Sequence, residues 1–146
     1  MSTIASLIPY IIVKDANAAI AFYKAAFKAT ELFRMTDPND GRVGHAELKF
    51  GESILMLADE YPDFGAVGPE TIGGSPVTLH LKTGAVDDDV ACAVQHGATV
   101  LRAATDQSFG ERNALILDPF GHRWMLSQTI EDVSPTEMQR RWDEEA

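Results

Sequence analysis

In the stretch ANAAIAFYKAAF (Ala16–Phe27), Ile20, Tyr23 and Phe27 recur at spacings of three and four, the apolar face of an amphipathic helix. Asp15 stands directly before it and is a preferred N-cap, because its carboxylate accepts from the free amide hydrogens of the first turn. The apolar, β-branched run Ile8–Val13 precedes this cap and reads as a strand. Three strand-like pieces follow the helix: Thr30–Met35, Val43–Phe50 and Ser53–Ala58, separated by the turn clusters Asp37–Gly41 and Gly51–Glu52. Periodicity then lapses. The segment Asp59–Ser75 holds four glycines and two prolines and reads as a linker.

Beyond the linker the order of elements repeats. Val77, Leu79 and Leu81 alternate with Thr78, His80 and Lys82, as in a strand with one buried face. Val86–His96 reads as a helix, and Thr99–Arg102, Asn113–Leu117 and Arg123–Gln128 as strands. Ala29-Thr30 recurs as Ala98-Thr99 and Gly51 as Gly121, at shifts of 69 and 70 residues. Two tandem βαβββ units account for this. Ser134, Pro135 and Glu137 then make a capping-box start for a short helix, Ser134–Glu145. The expected organisation is a first module over 1–60, a loop over 61–75, a second module over 76–130 and a C-terminal helix over 131–146.

The length of 146 residues suits one domain or two small modules, and such a chain can bury about two-thirds of its unfolded surface. Twelve basic against 22 acidic residues give a net charge of −10, which repels phosphate backbones and anionic lipid. Neither nucleic acid nor membrane is therefore an expected partner, and an acidic surface would suit a cationic ligand. Cys92 is the one cysteine, which excludes an internal disulfide and any multi-cysteine metal centre. With no basic group expected nearby, it reads as a small core residue. The start MSTIASLIPYIIVKD has no basic region and no apolar run near the roughly 18 residues of a membrane span. A cytoplasmic protein is expected.

The strings IPYIIVKDANAAIAFYKAAFKATEL, GHAELKFGESILMLADE and FGERNALILDPFGHRWML, with the tail EDVSPTEMQRR, resemble the vicinal oxygen chelate superfamily. That superfamily contains glyoxalase I, bleomycin-resistance proteins, fosfomycin-resistance enzymes and extradiol dioxygenases. The resemblance runs from Leu7 to about Gln128 and is nearest to the PhnB-like branch. It implies an α+β fold: two tandem βαβββ modules whose eight strands enclose a cavity, plus the short C-terminal helix. It also implies a homodimer, because many relatives build each cavity from modules of two chains. One residue departs from the pattern. Lys28 stands where the family has glycine after the first helix, and a left-handed cap there costs a lysine about 1 kcal/mol.

Metal-using relatives supply His or Glu from the first and last strands of each module. The resemblance places those positions at Ile8, at Leu55 or Met56, at Thr78 and at Met125. None is a first-choice ligand for a divalent ion, so no metal and no cofactor is expected. Alternation within the strands points Ile8, Tyr10 and Ile12 toward the cavity, together with His45, Glu47, Met56, His80, Arg123, Met125 and Ser127. The ligand-binding set is Tyr10, His45, Glu47, Met56, His80 and Met125, a mixed apolar and polar lining suited to a small organic molecule. No catalytic residue is assigned. The expected function is metal-independent binding of such a molecule in a dimeric cavity, as in sequestration of an antibiotic or toxin.

Other readings of the same residues stand beside this one. His45 and Glu47 also read as a polar pair on a wet sheet face, and a protein whose cavity is blocked by its own side chains would have only an assembly role. A displaced metal site of His45, Glu47 and His80 would instead make a glyoxalase-type lyase or isomerase, with Glu47 or His80 as general base. Arg112 reads as a brace to Asp106 or Asp118, and His122 as structural. Tyr61 and Phe64 read as ligand-covering or dimer contacts, and Met138 with Trp142 as a docking edge.

Overall fold

The structure, a computed structural model, describes residues 1–146. The chain forms two compact units, residues 1–75 and 76–146. The first contains β1 (Tyr10–Val13), α1 (Ala16–Phe27), β2 (Thr30–Thr36), β3 (Val43–Phe50), β4 (Ser53–Asp59) and α2 (Pro69–Ile72). The second contains β5 (Thr78–Lys82), α3 (Val86–Gln95), β6 (Thr99–Asp106), β7 (Glu111–Leu117), β8 (Arg123–Thr129) and α4 (Pro135–Glu145). The eight strands form two four-stranded mixed sheets, ordered β1-β4-β3-β2 and β5-β8-β7-β6. In each, the first strand runs parallel to the last, and the remaining pairs are antiparallel. The tandem βαβββ repeat is thus present. No helix is long and apolar enough to cross a membrane.

The long helix of each module, α1 in the first and α3 in the second, covers one face of its own sheet. Ile20 and Tyr23 of α1 are fully buried with Val13, Val43, Leu48 and Leu57, and Tyr23 stacks on Phe27 at 6.2 Å. In the second unit, Val86 and Ala93 of α3 are buried, as are Ile116, Trp124 and Leu126 of the sheet. The helix starts are fastened to the sheets. The Asp15 side chain accepts from Ala18 N at 3.0 Å. Ala16 N donates to the buried Asp59 carboxylate at 2.8 Å, and Val43 N donates to its other oxygen at 2.6 Å. The second unit repeats the device with a neutral group, as Val86 N donates to Gln128 Oε1 at 3.0 Å. Asp118 organises the DPFGH turn, accepting from Phe120 N, His122 N and the Trp124 indole. His122 is buried in that turn, in keeping with a structural role.

Several boundaries differ from the sequence reading. β1 starts at Tyr10 and not at Ile8, because Pro9 has no N–H for the ladder; its carbonyl still accepts from Met56 N at 3.0 Å. β6 and β7 extend to Asp106 and from Glu111, closed by a turn in which Gln107 N donates to Glu111 O. Residues 60–75 are more than a linker. They hold a 3-10 turn (Pro62–Phe64) and α2, gathered by the Glu60 carboxylate, which accepts from Gly68 N and Thr71 Oγ1. A Cβ at Gly68 would meet the Ile12 carbonyl at 2.8 Å, so only glycine allows this approach to β1. Cys92 is half-buried, outside the core, and the His96 ring one turn on lies 3.9 Å from its sulfur. The C-terminal helix starts at the Ser134 cap as expected. It is held by Arg141, which grips Glu131 and the Ser108 carbonyl, while Trp142 is 66% exposed.

Lys28 adopts φ 60°, ψ 30°, the one non-glycine residue with positive φ. Lys28→Gly removes that strain and should raise stability by about 0.5–1 kcal/mol. The urea midpoint is expected to rise at unchanged slope. An unchanged or lower midpoint would show that the bond from Lys28 Nζ to the Ala25 carbonyl, at 2.8 Å, outweighs the strain.

Candidate ligand-binding site

The helix-free face of the first sheet is built by alternation. Ala46 and Leu48 of β3 and Leu55 and Leu57 of β4 are buried on the side of α1. Their neighbours His45, Glu47 and Met56 therefore face the other way. Leu55 is thus excluded, and Met56 is the one of the two that stands on the open face. The register sets Phe33, Glu47, Met56 and Tyr10 in one row across four strands, with Met35 beside His45 in the next.

On this face three polar groups form a chain. Tyr10 Oη lies 2.9 Å from His45 Nδ1, and His45 Nε2 lies 2.9 Å from Glu47 Oε2. A carboxylate only accepts, so Nε2 carries the hydrogen, and Nδ1 of the neutral ring accepts from the Tyr10 hydroxyl. The Tyr10 and Phe33 rings flank His45 at 5.4 and 5.6 Å. Burial first, and the Glu47 charge second, push the Tyr10 phenol above its ordinary pKa.

The corresponding face of the second sheet has different chemistry. His80 and Met125 are register partners, as Tyr10 and Met56 are in the first unit. His80 Nε2 lies 2.5 Å from Oγ of Ser127, itself only 2% exposed. These residues line a cleft of about 220 Å³ together with Arg102, Gln107, Phe109, Glu111 and Asn113. The buried Asn113 Oδ1 accepts from Gln107 Nε2 at 3.3 Å. Whole-chain acidity therefore does not describe this surface, which carries Arg102, Arg123 and Lys82.

The structure brings Tyr10, His45, Glu47 and Met56 together in the first unit, and His80 and Met125 together in the second. His45 and Glu47 are joined to each other, while His80 is held by Ser127. In neither unit do three His, Cys, Asp or Glu side chains gather as an ion-binding group. Arg112 is a brace, reaching Asp106 and also Asp87 of α3; Asp118 serves the DPFGH turn instead. Tyr61 lies under the Arg42 guanidinium at 3.9 Å with its hydroxyl on Asp37, whereas Phe64 is 86% exposed. Arg102, Gln107 and Asn113 escaped the sequence reading. Arg102 and Asn113 end the expected strands Thr99–Arg102 and Asn113–Leu117, where alternation was the available signal, whereas Gln107 lies in the turn between β6 and β7, where there was none.

The sequence matches the Glyoxalase/Bleomycin resistance protein/Dioxygenase superfamily over residues 3–126. The chain belongs to this superfamily. It is 41% identical over 137 residues to an uncharacterized protein of Mycobacterium tuberculosis, covering 92% of this chain and 80% of that protein. A counterpart in Mycobacterium bovis is also 41% identical, with 92% and 90% covered. The crystal structure of TioX from Micromonospora sp. ML1 superposes with a TM-score of 0.67 at 22% identity, covering 86% of this chain and 98% of TioX. A PhnB protein from Bacillus cereus gives 0.66 at 14% identity, covering 86% of this chain and all of that one (100%). Both solved structures share the fold with this chain.

The raised Tyr10 pKa has a measurable sign. The folded state holds that proton more tightly, so the contribution to stability is complete below the unfolded value of about 10. It is lost as pH rises through the folded value. The Tyr10 ¹³Cζ resonance should titrate above the ordinary tyrosine range, and Glu47→Gln should lower its midpoint only in part, since burial is the larger cause. A midpoint unaffected by Glu47→Gln would break the link through His45.

Proposed function

We propose that this protein binds a small organic molecule on the helix-free faces of its sheets, as a cytoplasmic homodimer, without a metal ion at the positions used by metal-dependent relatives. The observation that supports this most directly is the cleft beside His80, about 220 Å³, with Met125 and Phe109 as apolar walls and buried amide and hydroxyl groups between them. A few placed polar groups in an apolar concavity fix orientation, and the apolar walls supply affinity. The donor chemistry agrees. The four positions that the resemblance assigns to metal ligands hold Ile8, Met56, Thr78 and Met125, which between them offer two soft thioethers and one neutral hydroxyl, and neither a carboxylate nor an imidazole. Capture needs no reacting group, which fits sequestration of an antibiotic or toxic compound. On the first sheet, the His45–Glu47 bond is what a purely structural polar pair would also show, so the reading leans on the second unit.

The test has two arms on untagged protein. After dialysis against nickel, zinc or manganese and then against buffer, metal content should stay well below one ion per chain. One tightly held ion would instead point to a lyase or isomerase with displaced ligands. In a thermal-shift screen of small organic compounds, a binder at one hundred times its Kd should add about 2.7 kcal/mol of stability. A screen in which no compound raises the Tm would count against capture.

A further inference from the structure

We propose that the cleft of the second unit is an anion site, taking a small carboxylate whose apolar body lies against Met125 and Phe109. This rests on the small-molecule reading above and names the ligand class. The charge pattern carries it. Five of the seven arginines hold carboxylates: Arg34, Arg42, Arg112, Arg140 and Arg141. The other two, Arg102 and Arg123, make no ion pair, although acidic residues outnumber basic ones 22 to 12. Both stand on the helix-free face of the same sheet: Arg102 pairs in register with Leu115 and Leu115 with Met125, while Arg123 pairs with Leu117. Lys82, beside Ser127 in register, is a third cation there without an acidic partner. In a chain so rich in carboxylates, cations left unpaired on one sheet face, with Arg102 in the cleft itself, create a local positive field opposite to the net charge.

The neutral groups fit the same ligand. Asn113 is 3% exposed, and its Oδ1 is occupied by Gln107, so its NH₂ is the part turned to an incoming acceptor. The Arg102 guanidinium adds a planar fork matched to a carboxylate. One acid borders the cleft, Glu111, whose oxygens accept from Thr129 Oγ1 at 3.3 and 3.4 Å. The volume of about 220 Å³ lies below the roughly 300 Å³ at which drug-sized ligands are held. A carboxylate on one ring or a short chain is the class that fits.

Benzoate and benzamide share shape and differ in charge, so the pair serves as the probe. Each is titrated into the full-length ¹⁵N-labelled chain, following the Arg102 Nε and Asn113 Nδ2 resonances. Benzoate should bind about tenfold or more tightly than benzamide, the difference made by charge-assisted hydrogen bonds. Arg102→Gln, at an exposed position, should abolish the preference by weakening benzoate about tenfold more than benzamide; Arg102→Lys should keep part of it. Equal affinities in the wild type, or a preference that survives Arg102→Gln, would overturn the anion assignment while the small-molecule reading stands. If neither compound moves a cleft resonance, the anion site is refuted, and the screen for other compounds decides the broader reading separately.

Discussion

The carboxylate of Asp59 fixes the geometry on which the first unit depends. Its two oxygens reach Ala16 N at the start of α1 and Val43 N at the start of β3, so one buried side chain at the end of β4 locks the helix and the two inner strands together. Two buried amide hydrogens at exposed-looking chain starts would otherwise lack partners, and each lost bond of that kind costs about 1–3 kcal/mol. With α1 pinned, Ile20 and Tyr23 cover the inner face, and alternation delivers Tyr10, His45, Glu47 and Met56 to the outer one. In the second unit Gln128 fastens Val86 N in the same place, and the outer face receives His80, Met125 and Ser127.

Much of the fold is legible along the chain because burial on one side writes itself as period. The range of α1 follows from Ile20, Tyr23 and Phe27 with Asp15 ahead, and β3 from its own alternation. The duplicated Ala-Thr and Gly positions report the repeat. The misjudged ends have local causes: Pro9 delays β1, and the Gln107–Gly110 turn extends β6 and β7 into a stretch that reads as polar loop. Residues 60–75 looked unstructured because Glu60, Gly68 and Thr71 meet through side-chain and backbone bonds that leave no periodic trace. For the site, sequence alternation identifies which residues share a face. It does not show partners, so the Tyr10–His45–Glu47 chain and the His80–Ser127 pair emerge only from coordinates.

The two outer faces have diverged although their scaffolds match. Tyr10 and His80 occupy corresponding register positions, as do Met56 and Met125, yet one face surrounds an imidazole–carboxylate pair with rings and the other sets amides, a hydroxyl and cations around a cleft. Bulk charge hides this, because most acids lie elsewhere and five of the seven arginines are taken up by them. Function in this superfamily resides in such side-chain sets and not in the shared backbone.

Strand order carries one more consequence. β1 is an edge strand whose sole sheet partner is β4, the last strand of its unit, and β5 depends on β8 in the same way. A chain leaving the ribosome exposes the first strand long before its partner exists, and only the β2–β3 hairpin can close early. Each half must therefore complete its sheet late, through its most distant pairing in sequence. During synthesis the apolar underside of the helix has no finished surface to rest on until the final strand slots into the middle.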